Sequence, residues 1–167
     1  MLAYKDGERV RLVSRNGRDH TRRFADIAAA IAKLSARTLV LDGEVAIFDQ
    51  QLRSRFDWLR EPDPATVATP PIFIAFDVMF RDRRDLAGLL LSARRIHLED
   101  VIAGADLVLA VRRLAANGLD AWAQVVGYGH EGFVARTADR AVVEGQAGEL
   151  DGRRGRLAAA DQRMKVT

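Results

Sequence analysis

The sequence contains no cysteine, which removes disulfides, thiolate metal sites and cysteine nucleophiles at once. It has no apolar run of about eighteen residues, and its first residues show no basic stretch leading into an apolar core. Neither a membrane span nor a secretory leader is therefore expected, and the default compartment is the cytoplasm. Its four prolines all fall between Arg60 and Pro71, so no other segment is punctuated by proline. The three histidines, His20, His97 and His130, are scattered without metal-ligand spacing and read as surface or packing residues.

What is present is apolar bulk and arginine. The chain has 167 residues, of which 49% are hydrophobic, enough to bury one sizeable core. Charged residues make up 29%, the net charge is +3 and the isoelectric point is about 9.8. Every positive side chain except Lys5, Lys33 and Lys165 is arginine, whose planar fork suits bidentate phosphate contacts. Nucleic acid or nucleotide is the partner class that this composition favours.

Local pattern places the elements. Apolar runs at Leu2 to Tyr4 and Val10 to Val13 flank Lys5-Asp6-Gly7-Glu8, a strong hairpin signal with Lys5 as a solvated turn residue. Phe24, Ile27, Ala28, Ile31 and Leu34 recur at helical spacing. Thr38 to Leu41 and Val45 to Phe48 read as two strands, or one bulged strand, around Asp42-Gly43. Ile72 to Phe80 is the most apolar strand, and Asp77 in its middle requires a partner because an unpaired buried carboxylate is costly. Leu86 to Ile102 contains a helix with Ile96, Leu98 and Val101 predicted to face inward behind Arg94-Arg95. Leu107 to Val111 and Phe133 to Ala135 read as strands, and Leu119 to Val126 as a helix. After Arg136 the text turns Gly-, Arg- and Ala-rich without a period, so residues 145–162 are expected to be poorly ordered. Irregularly mixed elements with hairpin turns predict an α+β fold with mainly antiparallel sheets flanked by helices.

Five segments then stand out in order: SRNGRDHTRRF (Ser14 to Phe24), LVLDGEVAIFD (Leu39 to Asp49), IFIAFDVMF (Ile72 to Phe80), HEGFVAR (His130 to Arg136) and RMKV (Arg163 to Val166). In this order and with these gaps they resemble the adenylation (nucleotidyltransferase) domain of ATP-dependent DNA ligases, particularly the compact bacterial kind. The resemblance implies a two-sheet, ATP-grasp-like α+β fold whose groove binds ATP with Mg²⁺. It also implies a reaction in which a lysine attacks the α-phosphate of ATP and AMP passes to the 5′-phosphate of nicked double-stranded DNA. Such chemistry needs a neutral amine, cationic clamps and a divalent metal to carry the charge moving to pyrophosphate.

Site residues follow from the same resemblance. Arg15 matches the phosphate-contacting arginine, Glu44 the carboxylate that contacts ribose and supports the metal, and Phe76 the aromatic stacked on adenine. Glu131 matches a second metal-associated carboxylate, and Lys165 the first lysine of a closing K-x-K on the α-phosphate. Departures occur at Arg136, where the family usually has lysine, and at Thr167 and Arg163 in the closing segment. Residues 1–144 would thus form a partial adenylation domain, and 145–167 a tail with a degenerate closing motif.

The stretch AYKDGER, Ala3 to Arg9, nearly spells the K-x-D-G-x-R that carries the family's nucleophile, but Ala3 stands in the nucleophile's place. The resemblance implies instead that Lys5-Asp6-Gly7 is the hairpin turn following that motif, with the motif itself lying upstream of Met1. On this reading the chain should not self-adenylate, Lys5 is a poor substitute, and the Met1 to Tyr4 strand should expose an edge open to self-association. A non-catalytic basic module that binds nucleic acid or a repair partner is the competing class.

Overall fold

The structure, a computed structural model, describes residues 1–51, 53–60, 69–113 and 118–127. The expectations for residues 130–136, 145–162 and 163–167, and for most of the proline-rich loop, lie outside them.

The chain opens with β1 (Leu2–Asp6) and β2 (Arg9–Val13), an antiparallel hairpin in which Asp6 pairs with Arg9 across a two-residue turn, Gly7-Glu8. Gly7 sits at φ +57°, which glycine adopts readily, so the expected hairpin forms with Gly7-Glu8 at its tip, while Asp6 is the last paired residue of β1 rather than a turn residue. Lys5, however, lies within β1 rather than in the turn. Only 7% exposed, it donates from Nζ to the Ala36 carbonyl at 2.6 Å, and so pins β1 to the segment entering the next strand. The solvated turn lysine expected from the sequence is thereby corrected.

Helix α1 (Ala25–Ala32) buries Ile27, Ala28 and Ile31, the stripe expected from their spacing. Strand β3 (Thr38–Ala46) runs without interruption through Asp42-Gly43. Its partner β4 (Ile72–Arg81) absorbs the irregularity, because the register slips between Val40 and Leu41 and again between Asp42 and Gly43, leaving Met79 and Phe76 as extra residues on β4. The short β5 (Arg84–Asp85) follows, then α2 (Leu91–Val101), β6 (Val108–Ala110) and α3 (Gly118–Gly127).

Among the described residues the strands form one six-stranded sheet, ordered β2-β1-β3-β4-β5 with β6 also pairing β4, where the resemblance implied two sheets. All pairings are antiparallel except β4 with β6. Strand β1 is internal, with β2 on one side and β3 on the other in continuous register. The free β1 edge expected from the sequence does not exist, and among the described residues β2 is the sheet's end on that side.

One face of the sheet carries the core. Ala3, Leu12, Leu39, Leu41, Val45, Phe73, Ala75 and Val78 pack there with Ile27 and Ile31 of α1 and Leu98 and Val101 of α2. Within α2 the expected polarity is corrected at two positions: Ile96 is 67% exposed, whereas Arg94 is 3% exposed. Arg94 meets Asp77 in a fork, Nε to Oδ1 at 2.9 Å and Nη2 to Oδ2 at 2.7 Å, and its Nη1 donates to the Leu89 carbonyl at 2.6 Å. The carboxylate buried in the apolar strand thus has its partner, and the charges are removed from water as a hydrogen-bonded pair. On the opposite face, Leu2, Val40, Asp42, Glu44, Ile74 and Phe76 are only half-buried.

Candidate nucleotide-binding cleft

The cleft lies at the end of the sheet where β1 begins, β2 ends and β3 passes. Its volume is about 300 Å³, at the small end of ligand pockets, and its lining includes Arg15, Arg23, Phe24, Glu44, Leu59 and Arg60.

Arg15 reaches it from a turn braced by its own sequence. Gly17, at φ +73°, donates to the Ser14 carbonyl at 2.9 Å, while Ser14 donates from its N–H to the Arg18 carbonyl at 2.9 Å and accepts at Oγ from the Arg18 N–H at 3.2 Å. Asp19 then accepts at Oδ1 from the Thr21 N–H at 2.9 Å and from the Thr21 hydroxyl at 2.6 Å. The Thr21 hydroxyl oxygen in turn accepts from the Leu12 N–H at 2.9 Å, tying the loop back onto β2. The two Thr21 bonds, helped by Arg11, lower the Asp19 carboxyl to about 2. The polar residues of SRNGRDHT are therefore a scaffold that leaves Arg15 itself exposed beside the cleft.

Glu44 enters from β3. Burial pushes its carboxyl up, the Met1 ammonium opposes that shift, and Asp42, two residues away on the same strand face, adds to it. Phe24 and Leu59 supply apolar wall, from the entry to α1 and from a 3₁₀ turn, Phe56–Leu59. Arg23 joins these walls: its guanidinium lies 5.3 Å from the Phe24 ring centroid and donates through Nη2 to the Leu59 carbonyl.

Of the residues singled out in the sequence, Arg15 and Glu44 are brought together on this cleft. Phe76 is not in its lining. It shares the half-buried positions of β4 with Ile74, the residue paired with Glu44, and it is the extra residue of a bulge. Glu131 and Lys165 lie outside the described residues. Sequence reasoning did not assign Arg23, Phe24, Leu59 or Arg60 to a site, although Arg23-Phe24 closes the SRNGRDHTRRF segment.

The donor set suits a phosphorylated nucleoside, with arginine forks for phosphate, an apolar wall and a carboxylate. Among the described residues no three acidic or histidine side chains converge as a metal site. Glu44 with Asp42 nearby matches a cation that keeps several waters and takes one or two carboxylates plus substrate phosphates, as Mg²⁺ does.

A family profile described as "ATP dependent DNA ligase domain" matches residues 1–147. Among characterised relatives, the multifunctional non-homologous end joining protein LigD of Pseudomonas aeruginosa is 32% identical over 106 residues, covering 64% of this chain and 12% of that protein. The Mycobacterium tuberculosis LigD is 32% identical over 139 residues, covering 83% of this chain and 18% of that protein. DNA ligase C of the same organism is 33% identical over 150 residues, covering 81% of this chain and 42% of that protein. A solved structure of mycobacterial DNA ligase D complexed with ATP and MES superposes with a TM-score of 0.72 at 31% identity, covering 86% of this chain and 46% of the other. The chain thus spans less than half the length of each of these relatives. No helix among the described residues is long and apolar enough to cross a membrane.

Proposed function

The chain belongs to the ATP-dependent DNA ligase domain family, and from that membership we propose that its cleft holds ATP, with Arg15 on the phosphates and Glu44 on the ribose and the metal side. The observation that carries this reading is the convergence of Arg15 and Glu44, 29 positions apart in sequence, on one cleft with Phe24 and Arg23. Phe76 would stack on the base from the half-buried sheet face, and Lys165 and Glu131 would complete the phosphate and metal contacts. In this arrangement 1–144 is the adenylation portion and 145–167 its closing tail. The substrate class is nicked duplex DNA in end joining or nick repair.

The bound nucleotide with Mg²⁺ would supply an electrophilic α-phosphorus, and nucleotidyl transfer would further require a free amine in line with it. Lys5 does not offer one. Its amine is buried and donates to the Ala36 carbonyl, and its side chain lies on the core face with Leu39, its pairing partner, opposite the face that carries Glu44. We therefore assign this chain nucleotide binding without self-adenylation through Lys5.

Equilibrium titration with ATP and Mg²⁺ checks the first part. Arg15→Ala should weaken binding about 10- to 100-fold, the equivalent of one charge-assisted hydrogen bond, and Glu44→Gln should weaken it in Mg²⁺ more than in its absence. Intact mass after incubation checks the second part, with no gain of AMP expected. An AMP adduct abolished by Lys5→Ala would overturn the assignment, as would wild-type protein that binds no ATP.

A further inference from the structure

Beyond the cleft, on the same end of the sheet, a loop is organised around a buried carboxylate that stands outside both the apolar core cluster and the cleft lining. Asp49 is 3% exposed. Its Oδ1 accepts the Gln51 and Arg53 N–H groups at 2.9 Å each, its Oδ2 accepts Arg53 Nε at 3.1 Å, and Arg55 Nη1 lies 3.8 Å away. The Arg53 N–H leads the causes that hold this carboxyl below the usual range. Backbone closes the same loop: Asp49 N–H donates to the Arg53 carbonyl at 3.0 Å, Arg55 N–H donates to the Ile47 carbonyl at 2.8 Å, and Phe48 bridges Ser54.

The outcome is two arginines held in place with their heads half in solvent, 54% exposed for Arg53 and 42% for Arg55. Arg55 also lies on Trp58, with 4.7 Å from its guanidinium carbon to the ring. A guanidinium placed over an aromatic ring and beside a carboxylate is restrained before binding and so loses less entropy on binding. Trp58 belongs to the same 3₁₀ turn as Leu59, which lines the cleft and accepts from Arg23. The loop therefore continues the cationic rim of Arg23 and Arg60 outward from the cleft.

We propose that the Asp49-organised loop, with Arg53 and Arg55 presented beside Trp58, is a docking element for the phosphodiester backbone of a nucleic acid. It takes from the proposed function only the identity of the polyanion, and it is tested without ATP. Arg53 also donates from Nη2 to Gln51 Oε1 at 3.3 Å, so each arginine offers its remaining solvent-facing N–H groups, which fits a ligand with regularly spaced phosphates whose sequence is not read.

The test uses the full chain and a short nicked DNA duplex at several salt concentrations. The double variant Arg53→Ala/Arg55→Ala should weaken binding and lower the slope of log affinity against log salt by about two, one for each lost phosphate contact. Arg55→Lys, which keeps the charge but removes the guanidinium over Trp58, should also weaken binding. The matched control Arg37→Ala/Arg84→Ala removes the same charge from exposed positions at the other end of β3, and should change the slope less. Equal losses in the two double variants would overturn the proposal in favour of diffuse charge. Wild-type affinity in the Arg53/Arg55 variant, or no DNA binding at all, would also overturn it. Equal binding of polyglutamate would assign the surface to an acidic protein instead. The ATP titration stands apart from each of these outcomes, so the cleft and the loop fail or survive separately.

Discussion

Gly43 shows why a single position can decide the site. A Cβ placed there would stand 2.4 Å from the Ile74 carbonyl oxygen and 2.7 Å from the Phe73 ring, and the oxygen belongs to the paired strand and cannot swing away. Gly43→Ala should cost about 1–3 kcal/mol, typical of overpacking, and should displace Glu44. Urea unfolding checks the first, and a wild-type midpoint would refute the close approach. In sequence, Asp42-Gly43 resembles a strand interruption, because no local pattern reveals that a neighbouring backbone occupies the missing side chain's space. Ionisation acts at this scale with opposite signs. Asp19, lowered to about 2, contributes stability above its unfolded value of 3.8, and that contribution is lost as pH falls through 2. Glu44 is raised by burial, so its folded state gains relative stability where it is protonated and loses it as pH rises past 4.5. Glu44→Gln should accordingly raise the melting temperature at neutral pH while weakening nucleotide binding, and calorimetry would register a fall instead if the carboxylate were stabilising.

Helix α2 is fixed to the sheet by chemistry that its own sequence conceals. The apolar setting of Asp77 announced that a partner was needed, but the partner is Arg94, 17 residues on, in a stretch where arginine reads as solvent-facing. Once Arg94 turns inward, Ile96 must turn outward, since neighbours two apart on a helix do not share a face. Truncating either member leaves the other buried and charged, so Asp77→Ala or Arg94→Ala should each cost about 3–5 kcal/mol, while replacing both with apolar residues of similar volume should cost much less. Chemical denaturation of the two singles and the double decides this, and additive losses would show that the pair is not coupled. The hairpin of β1 and β2 and the helix α1 were legible because their signals are local, a glycine at positive φ and a helical stripe. The position of Lys5 was not, because its anchor is a carbonyl 31 residues away.

For the molecule as a whole, the sequence contained the order of segments but not their convergence. Arg15 and Glu44 could be named because each sits in a distinctive segment, yet only the sheet brings the end of β2, across the start of β1, to the part of β3 that carries Glu44. Phe24 and Leu59 carry no local mark of a site, and they line the cleft because α1 and the 3₁₀ turn close over the same end of the sheet. The antiparallel character was readable from hairpin turns. The parallel pairing of β6 was not, since it depends on a crossover through α2.

That crossover also sets an order of assembly. The β1–β2 hairpin closes over two residues, whereas Phe73 cannot meet Val108 until the chain between them, including α2, has been gathered onto the sheet. The reward for closing that loop is also small, because β6 contributes only three residues, Val108–Ala110, paired with a single strand. Val108, 1% exposed, should therefore be unformed at the folding barrier. Val108→Ala should leave the refolding rate nearly unchanged and speed unfolding, and a matching slowdown of refolding would place β6 in the nucleus instead.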